Sequence, residues 1–280
     1  MSYFIDDVMQ KIYFRADASA TIGYGHFIRT LALADMLKDD FDCTFFTCHP
    51  TSYQVSEMEK VCPFIPLQEE THSADFLSHL QGDEIVVLDN YFFTTDYQRA
   101  IKQKGCRLVC VDDMHDKHYV ADVVINHTLT DSGLFDVEPY TKLCLGFDWA
   151  LLRRPFIEAV NKLCSCAKRT ESITITFGGV DSFDFTGHYI REAMQLPTVS
   201  QITAVVGDAY QPQKPRVRDR RVSYCSNLTA QQMAELFCAS DWVICSASTV
   251  SLEAIACGAK LAVGWYVDNQ ADYYSLLTST

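Results

Sequence analysis

Short runs rich in β-branched and aromatic residues alternate with helix-period segments along almost the whole chain, and this pattern constrains the fold more than any other feature. Strands separated by helical stretches cannot pair as hairpins. They read as βαβ units, which place parallel strands in a sheet with helices on its faces. In the first half the strands fall near Lys11–Ala16, Cys43–Cys48, Glu84–Asp89, Arg107–Asp112 and Asp122–Asn126. A helix fits Phe27–Lys38, where Ile28, Leu31, Ala32, Ala34 and Met36 supply much of a buried face. Leu143–Gly146 reads as an edge strand of the same domain.

The alternation lapses twice, over residues 127–140 and 161–171, and we place the domain crossover in the second lapse. It then restarts with strands Ser172–Phe177, Ile202–Val206, Trp242–Cys245 and Lys260–Tyr266. Helices are expected around Asp184–Met194, over Ala230–Ala239 and Val250–Cys257, and from near Ala271. The expectation is an α/β protein of two Rossmann-like domains, residues 1–160 and 161–280. Residues 1–8 precede the first strand, and the chain stops within its last helix, as though the second domain were cut short.

Composition narrows the functional classes. Lys and Arg number 23 against 36 Asp and Glu, a formal charge of −13, which repels nucleic-acid phosphates and anionic lipid over most of the surface. No apolar stretch approaches the roughly 20 residues needed to cross a bilayer. The amino terminus carries Asp6 and Asp7 where a secretory signal has positive charge, so a cytoplasmic protein is expected. The 12 cysteines sit mostly inside apolar runs, as in Arg107–Cys110 and Trp242–Cys245, and read as buried free thiols rather than a disulfide framework.

Four segments carry the chemistry. Phe14–Arg29 runs from strand to helix through Gly23 and Gly25. Ile28 stands where a dinucleotide fingerprint needs its third glycine, which argues against NAD. His26 opens the helix at the carboxyl edge of the first strand, where the helix dipole disfavours an imidazolium and prepares a general base. A plain capping histidine is the other reading. Thr174–Asp181 brings Gly178 and Gly179 to a second such turn, suited to phosphate or simply to a βα turn. In Cys245–Gly258, Ser248 and Thr249 head a helix and could face a diphosphate. Glu253, one turn in, could take both hydroxyls of a ribose or be a plain exposed helix glutamate. Trp265–Gln270 adds Asn269 and Gln270 at the same sheet edge, as ligand groups or as turn and cap residues. The cluster Asp112, Asp113, His115 and His118 matches no helix-borne metal motif and is read as a loop, with neither metal nor cofactor expected.

Together the segments FRADASATIGYGHFIRTLALA (14–34), GFDWALLRRPF (146–156), TFGGVD (176–181) and ASTVSLEAIACGAK (247–260) followed by DNQ (268–270) resemble, in the right order, the UDP-sugar hydrolases of pseudaminic acid biosynthesis. All but the first motif are shared with GT-B glycosyltransferases. The resemblance spans about residues 11–280 and implies a GT-B-like fold whose two parallel sheets face a cleft holding the sugar nucleotide. It implies metal-independent, inverting attack of water on the anomeric carbon of UDP-2,4-diacetamido-2,4,6-trideoxy-β-L-altropyranose, with His26 as base. By resemblance Arg15, Asp17, Gly25, Tyr91, Asn269 and Gln270 line the sugar side or the cleft, Gly178, Gly179, Ser248 and Thr249 meet the diphosphate, and Glu253 holds the ribose. Nucleotide-binding motifs do not separate this hydrolase from a glycosyltransferase, nor from a nucleotide-sugar binding protein without turnover. Nothing in them specifies an oligomeric state.

Overall fold

The computed structural model describes residues 9–18, 24–160, 171–178, 181–207, 210–267 and 270–279. The chain divides after Leu151 into two compact units.

In the first unit the strands are β1 (Lys11–Ala16), β2 (Asp42–Cys48), β3 (Phe64–Leu67), β4 (Ile85–Asp89), β5 (Arg107–Val111), β6 (His118–Tyr119), β7 (Val123–Asn126), β8 (Asp136–Val137) and β9 (Lys142–Leu145). The helices are α1 (Gly25–Leu37), α2 (Ser52–Met58), α3 (His72–His79) and α4 (Thr95–Gln103). Seven strands form one sheet in the order β3-β2-β1-β4-β5-β7-β9, every pair parallel. β6 and β8 form a separate two-stranded parallel pair.

Both faces of the large sheet are covered, which is why its strands are nearly continuous apolar runs such as IVVLD in β4. Successive side chains go to opposite faces. Phe45 and Val87 join Phe27 and Leu31 of α1 and Met58 of α2 in one core. Phe46, Val86 and Leu88 join Phe76 of α3 and Ile101 of α4 in the other. Because β1 connects through α1 on one face and β4 through α4 on the other, strand order reverses between β1 and β4. Open α/β sheets bind ligands outside the carboxyl ends of such a strand pair. Helix starts are fixed locally: Thr51 and Gln54 form a capping box on α2, and Thr94 Oγ1 accepts the Tyr97 amide at α4.

The second unit contains α5 (Arg154–Val160), β10 (Glu171–Thr176), α6 (Phe185–Ala193), β11 (Val199–Val205), β12 (Val222–Cys225), α7 (Ala230–Ala239), β13 (Trp242–Ser246), α8 (Thr249–Ala256), β14 (Lys260–Gly264) and α9 (Ala271–Ser279). Its five strands run parallel in the order β12-β11-β10-β13-β14. Ile173, Ile175 and Ile202 pack with Ile190 of α6 on one face, and Val243 and Cys245 pack with Phe237 of α7 and Ala254 of α8 on the other. The reversal point here lies between β10 and β13.

The division between units falls earlier than residue 160. Leu151 belongs to a core of the first unit, whereas Leu152, Phe156 and Ala159 pack with Phe237 in the second. The apolar face of α5 therefore decides the boundary, and residues 161–170, where the crossover was expected, lie outside the described residues.

Among the described residues, no helix is long and apolar enough to cross a membrane. Seven of the ten described cysteines are buried, and all ten are free thiols. Cys164 and Cys166 lie outside the described residues. Burial pushes the Cys43 thiol up to about 11 and those of Cys62 and Cys245 to about 12, so little thiolate forms at neutral pH. Cys238 is exposed. Mass-shift labelling of the native protein is expected to modify Cys238 first, with Cys43, Cys62 and Cys245 protected until unfolding. Equal labelling of all four would contradict this core.

Candidate active site

The carboxyl ends of β1 and β4 bring His26 and Asp89 together. His26 is the second residue of α1, and Asp89 is the last residue of β4. The start of α1 is suited to a polar site: Tyr24 at the N-cap makes no side-chain capping bond, and no acidic residue occupies the first turn. Gly25 opens the helix with nothing within 4 Å of where a Cβ would stand.

His26 Nδ1 lies 2.7 Å from Asp89 Oδ1. The same carboxylate accepts Arg29 Nη2 at 2.6 Å on Oδ1, and on Oδ2 it accepts Arg29 Nε at 2.6 Å and Thr30 Oγ1 at 2.8 Å. Asp89 is fully buried. Burial alone would raise its carboxyl, but the Arg29 guanidinium, with His26, outweighs burial and holds it well below the usual carboxylate range. Arg29 Nη2 also lies 3.1 Å from Nδ1, but an ionised carboxylate, closer at 2.7 Å, repels a bare ring nitrogen, so we assign the proton to Nδ1, which donates a hydrogen bond to Asp89. The Nε2 lone pair is then left to accept. His26 Nε2 makes no hydrogen bond with a described residue.

Three further groups surround the pair. Arg29 Nη1 donates to Asp113 Oδ1 at 2.5 Å. Burial would depress the Arg29 guanidinium, but Asp113 and Asp89 raise it well above its ordinary value. Tyr91, 40% exposed, sets its ring edge-on to His26 at 4.4 Å between centroids, and its hydroxyl donates to Asp113 Oδ2 at 3.5 Å. His127, at the end of β7, is buried, and its imidazole is pushed down to about 4 by burial first and by Arg29 second.

A histidine held neutral in the folded state lends stability that is lost as pH falls. Between about pH 6.5, its ordinary value, and about pH 4, the unfolded chain binds the proton and the folded chain does not. About 2.5 units at 1.36 kcal/mol each is roughly 3 kcal/mol. His127→Phe is therefore expected to flatten the loss of stability between pH 6.5 and 4 in urea unfolding by about that amount, and an unchanged slope would contradict it.

Arg15 and Asp17 form a second buried pair. Arg15 is fully buried and ion-paired to Asp17, with Nη2 3.3 Å from Cys48 Sγ and 3.2 Å from His72 Nδ1. Asp17 Oδ1 also accepts the Cys48 amide at 2.7 Å, tying the end of β1 to the end of β2. Arg15 is thus held as support beneath the sheet edge, and Asp17, at 8% exposure, is the more outward member.

In the second unit the expected groups gather at the carboxyl ends of β10 and β13. Gly178 adopts φ +79°, a conformation that side chains rarely take, and the space where its Cβ would stand is open. Ser248 is the N-cap of α8, yet its hydroxyl turns back toward Ser246, 3.4 Å from the carbonyl oxygen, and makes no cap bond. Thr249 is the first residue of that helix.

Glu253 is not the exposed helix glutamate of the plain alternative. It is 2% exposed, and both its oxygens accept from Arg153, Nε at 2.8 Å and Nη2 at 2.9 Å. Gln270 Oε1 accepts the Tyr266 amide at 3.3 Å, the turn role that its position allowed. Gly179 and Asn269 lie outside the described residues.

In the acidic loop after β5, Asp112 has a structural part. Asp112 accepts the Met114 and His115 amides, the Tyr119 hydroxyl and Asn126 Nδ2. Among the described residues no three His, Cys, Asp or Glu side chains gather as metal ligands.

Arg29, Thr30 and Arg153 were not singled out from sequence, and Asp113 was noted only within the acidic cluster read as a loop. Arg29 lies one turn after His26 on the same helix face, a spacing that could have announced it. Arg153 and Glu253 are 100 residues apart, and no local signal links them.

No family model matches the chain. In sequence it is 25% identical over 271 residues to a UDP-2,4-diacetamido-2,4,6-trideoxy-β-L-altropyranose hydrolase of Campylobacter jejuni, covering 93% of each chain. It is 24% identical over 280 residues to an uncharacterized protein of Methanocaldococcus jannaschii, covering 94% of this chain but only 57% of that protein. Among solved structures, MurG of Acinetobacter baumannii superposes with a TM-score of 0.62 at 12% identity, covering 96% of this chain and 84% of that one. UGT2 of Phytolacca americana, complexed with UDP-2fluoro-glucose and pterostilbene, gives 0.62 at 12% identity, with 97% and 83% covered. HepE of Anabaena, in complex with UDP and glucose, gives 0.56 at 12% identity, with 96% and 89% covered. The chain therefore has the GT-B glycosyltransferase fold, built of two Rossmann-like α/β units with parallel sheets, and it resembles in sequence a UDP-sugar hydrolase.

Proposed function

We propose that this chain is a UDP-sugar hydrolase that releases UDP from a diacetamido-trideoxy sugar by inverting attack of water on the anomeric carbon. The reading rests most on one observation: Asp89 Oδ1 lies 2.7 Å from His26 Nδ1 at the reversal point of the first sheet, a contact that would leave Nε2 to accept a proton. The sequence likeness to the Campylobacter hydrolase supplies the substrate, UDP-2,4-diacetamido-2,4,6-trideoxy-β-L-altropyranose.

In this account His26 takes the proton from water as the oxygen–carbon bond forms, and Asp89 stabilises the resulting imidazolium. UDP needs charge stabilisation rather than a general acid, because a diphosphate already leaves readily. The backbone at Gly178 and the uncapped start of α8 at Ser248 and Thr249 would offer amides to the diphosphate. Glu253, oriented by the Arg153 fork, would present its remaining lone pairs to the ribose hydroxyls. By resemblance Gly179 joins the diphosphate groups, Asp17, Tyr91 and Asn269 line the sugar side, and Gln270 adds a further substrate contact.

The test is UDP release with this sugar nucleotide, no acceptor and EDTA present. Turnover under those conditions is expected. Turnover only when an acceptor hydroxyl compound is supplied would favour a glycosyltransferase, the alternative that the shared fold keeps in view.

A further inference from the structure

A second carboxylate, Asp113, has no part in the reaction just described, yet it is bound into the same site. Arg29 divides its donors between two acids: Nε and Nη2 go to Asp89, and Nη1 goes to Asp113 Oδ1 at 2.5 Å. The Tyr91 hydroxyl, at 3.5 Å, donates to the other oxygen of Asp113, and the Tyr91 ring returns to His26 edge-on. The contacts close a circuit, His26 to Asp89 to Arg29 to Asp113 to Tyr91 and back to His26. It draws on α1 and on the segments at the carboxyl ends of β4 and β5.

The charges in this circuit do not balance until His26 is protonated. Asp89 and Asp113 bring two negative charges, Arg29 brings one positive, and a neutral imidazole brings none. Other polar groups border the set: Thr30, whose hydroxyl donates to Asp89, His127, held neutral by burial, and Lys117, which donates to the Tyr91 carbonyl oxygen at 3.1 Å and is itself paired with Asp116. Thr30 and His127 bring no positive charge at neutral pH, and the Lys117 charge is matched by Asp116. If Arg29 and Asp89 alone surrounded the histidine, they would cancel, and the imidazolium would gain little. Asp113 leaves the buried set one charge short, and a proton on His26 supplies it.

From this circuit we infer that Asp113 is a positioning residue that sets the basicity of His26, acting through Arg29 and Tyr91 without touching the substrate. The inference rests on the proposed role of His26 as base. Asp113→Asn keeps the shape and removes the charge. Its expected effects are a fall of roughly one pH unit in the titration midpoint of the His26 imidazole, followed by NMR without substrate, and an equal downward move of the acid limb of kcat/KM. kcat is expected to fall by up to about 10-fold with KM little changed, because the transition state expresses only part of one unit of lost basicity. Asp113→Glu, which returns the charge, is expected to restore the titration.

A folded Asp113→Asn protein whose His26 titrates as in the unaltered protein would overturn the inference, since a carboxylate that only anchors Arg29 affects stability and not this equilibrium. Asp113→Ser repeats the test should the asparagine variant fail to fold. Because the titration needs no sugar nucleotide, an unmoved midpoint counts against Asp113, while absence of turnover with a moved midpoint counts against the hydrolase reading instead.

Discussion

Replacing His26 by alanine is expected to lower kcat for UDP release by about 10²–10⁴-fold, the usual contribution of a positioned general base, while the affinity for UDP stays within a few-fold. The separation follows from where the residue sits. His26 lies at the sheet edge of the first unit, whereas the groups assigned to the diphosphate and ribose, Gly178, Ser248, Thr249 and Glu253, belong to the second. Among the described residues, neither neighbour of His26 offers an obvious substitute: Tyr91 is a phenol, and His127 is buried with its imidazole held near pH 4. Steady-state kinetics and UDP titration of the same preparation give the answer. Equal loss of turnover and UDP affinity would make His26 a binding residue.

Asp89 carries the second large effect, in two forms. Asp89→Ala leaves the Arg29 guanidinium with Asp113 as its remaining described carboxylate and removes the acceptor shared by His26, Arg29 and Thr30. Breaking a fully buried ion pair in this way typically costs about 3–5 kcal/mol, much of it from the charge left poorly compensated. Urea unfolding at pH 7 should show a loss of that size, and a change below about 1 kcal/mol would contradict the burial of the network. Asp89→Asn separates catalysis from folding. It keeps the side-chain volume but no longer fixes the proton on Nδ1, so a kcat loss of about 10²–10⁴-fold is expected, as where an orienting carboxylate is neutralised in a catalytic triad.

The backbone plan was largely legible because parallel strands and their helices write themselves into local pattern. Lys11–Ala16 and Ala230–Ala239 have the bounds expected from periodicity, and Leu143–Gly146 is represented by the edge strand Lys142–Leu145. The short elements between Ser52 and Leu67 were not legible. A seven-residue helix and a four-residue strand, FIPL, carry too few repeats to show a period, and Thr51 with Gln54 was the only local sign. The boundary between units was misplaced because α5 is apolar toward Phe237, a contact that sequence does not display.

The site divides in the same way. His26 at a helix start after a strand was visible from chain order alone, and Ser248 and Gly178 were visible for the same reason. What holds them was not. Asp89 looked like the last residue of a strand, Glu253 like a ribose contact or an exposed helix glutamate, and Arg15 like a sugar-side contact. Their states are set by Arg29, Arg153 and Asp17, and two of those three pairings join distant parts of the chain. Buried charge pairing is a tertiary property, and only its helix-spaced member, Arg29 after His26, leaves a trace in sequence.

The most direct test of the central claim is proton and carbon NMR of the reaction with UDP-2,4-diacetamido-2,4,6-trideoxy-β-L-altropyranose in oxygen-18 water, with EDTA, no acceptor and His26→Ala alongside. The account predicts that the label enters the anomeric hydroxyl of the free sugar, that the first anomer formed is inverted, that UDP stays unlabelled, and that the variant loses the reaction. Label in UDP, or bound UDP-sugar that never releases UDP without an acceptor, would contradict it.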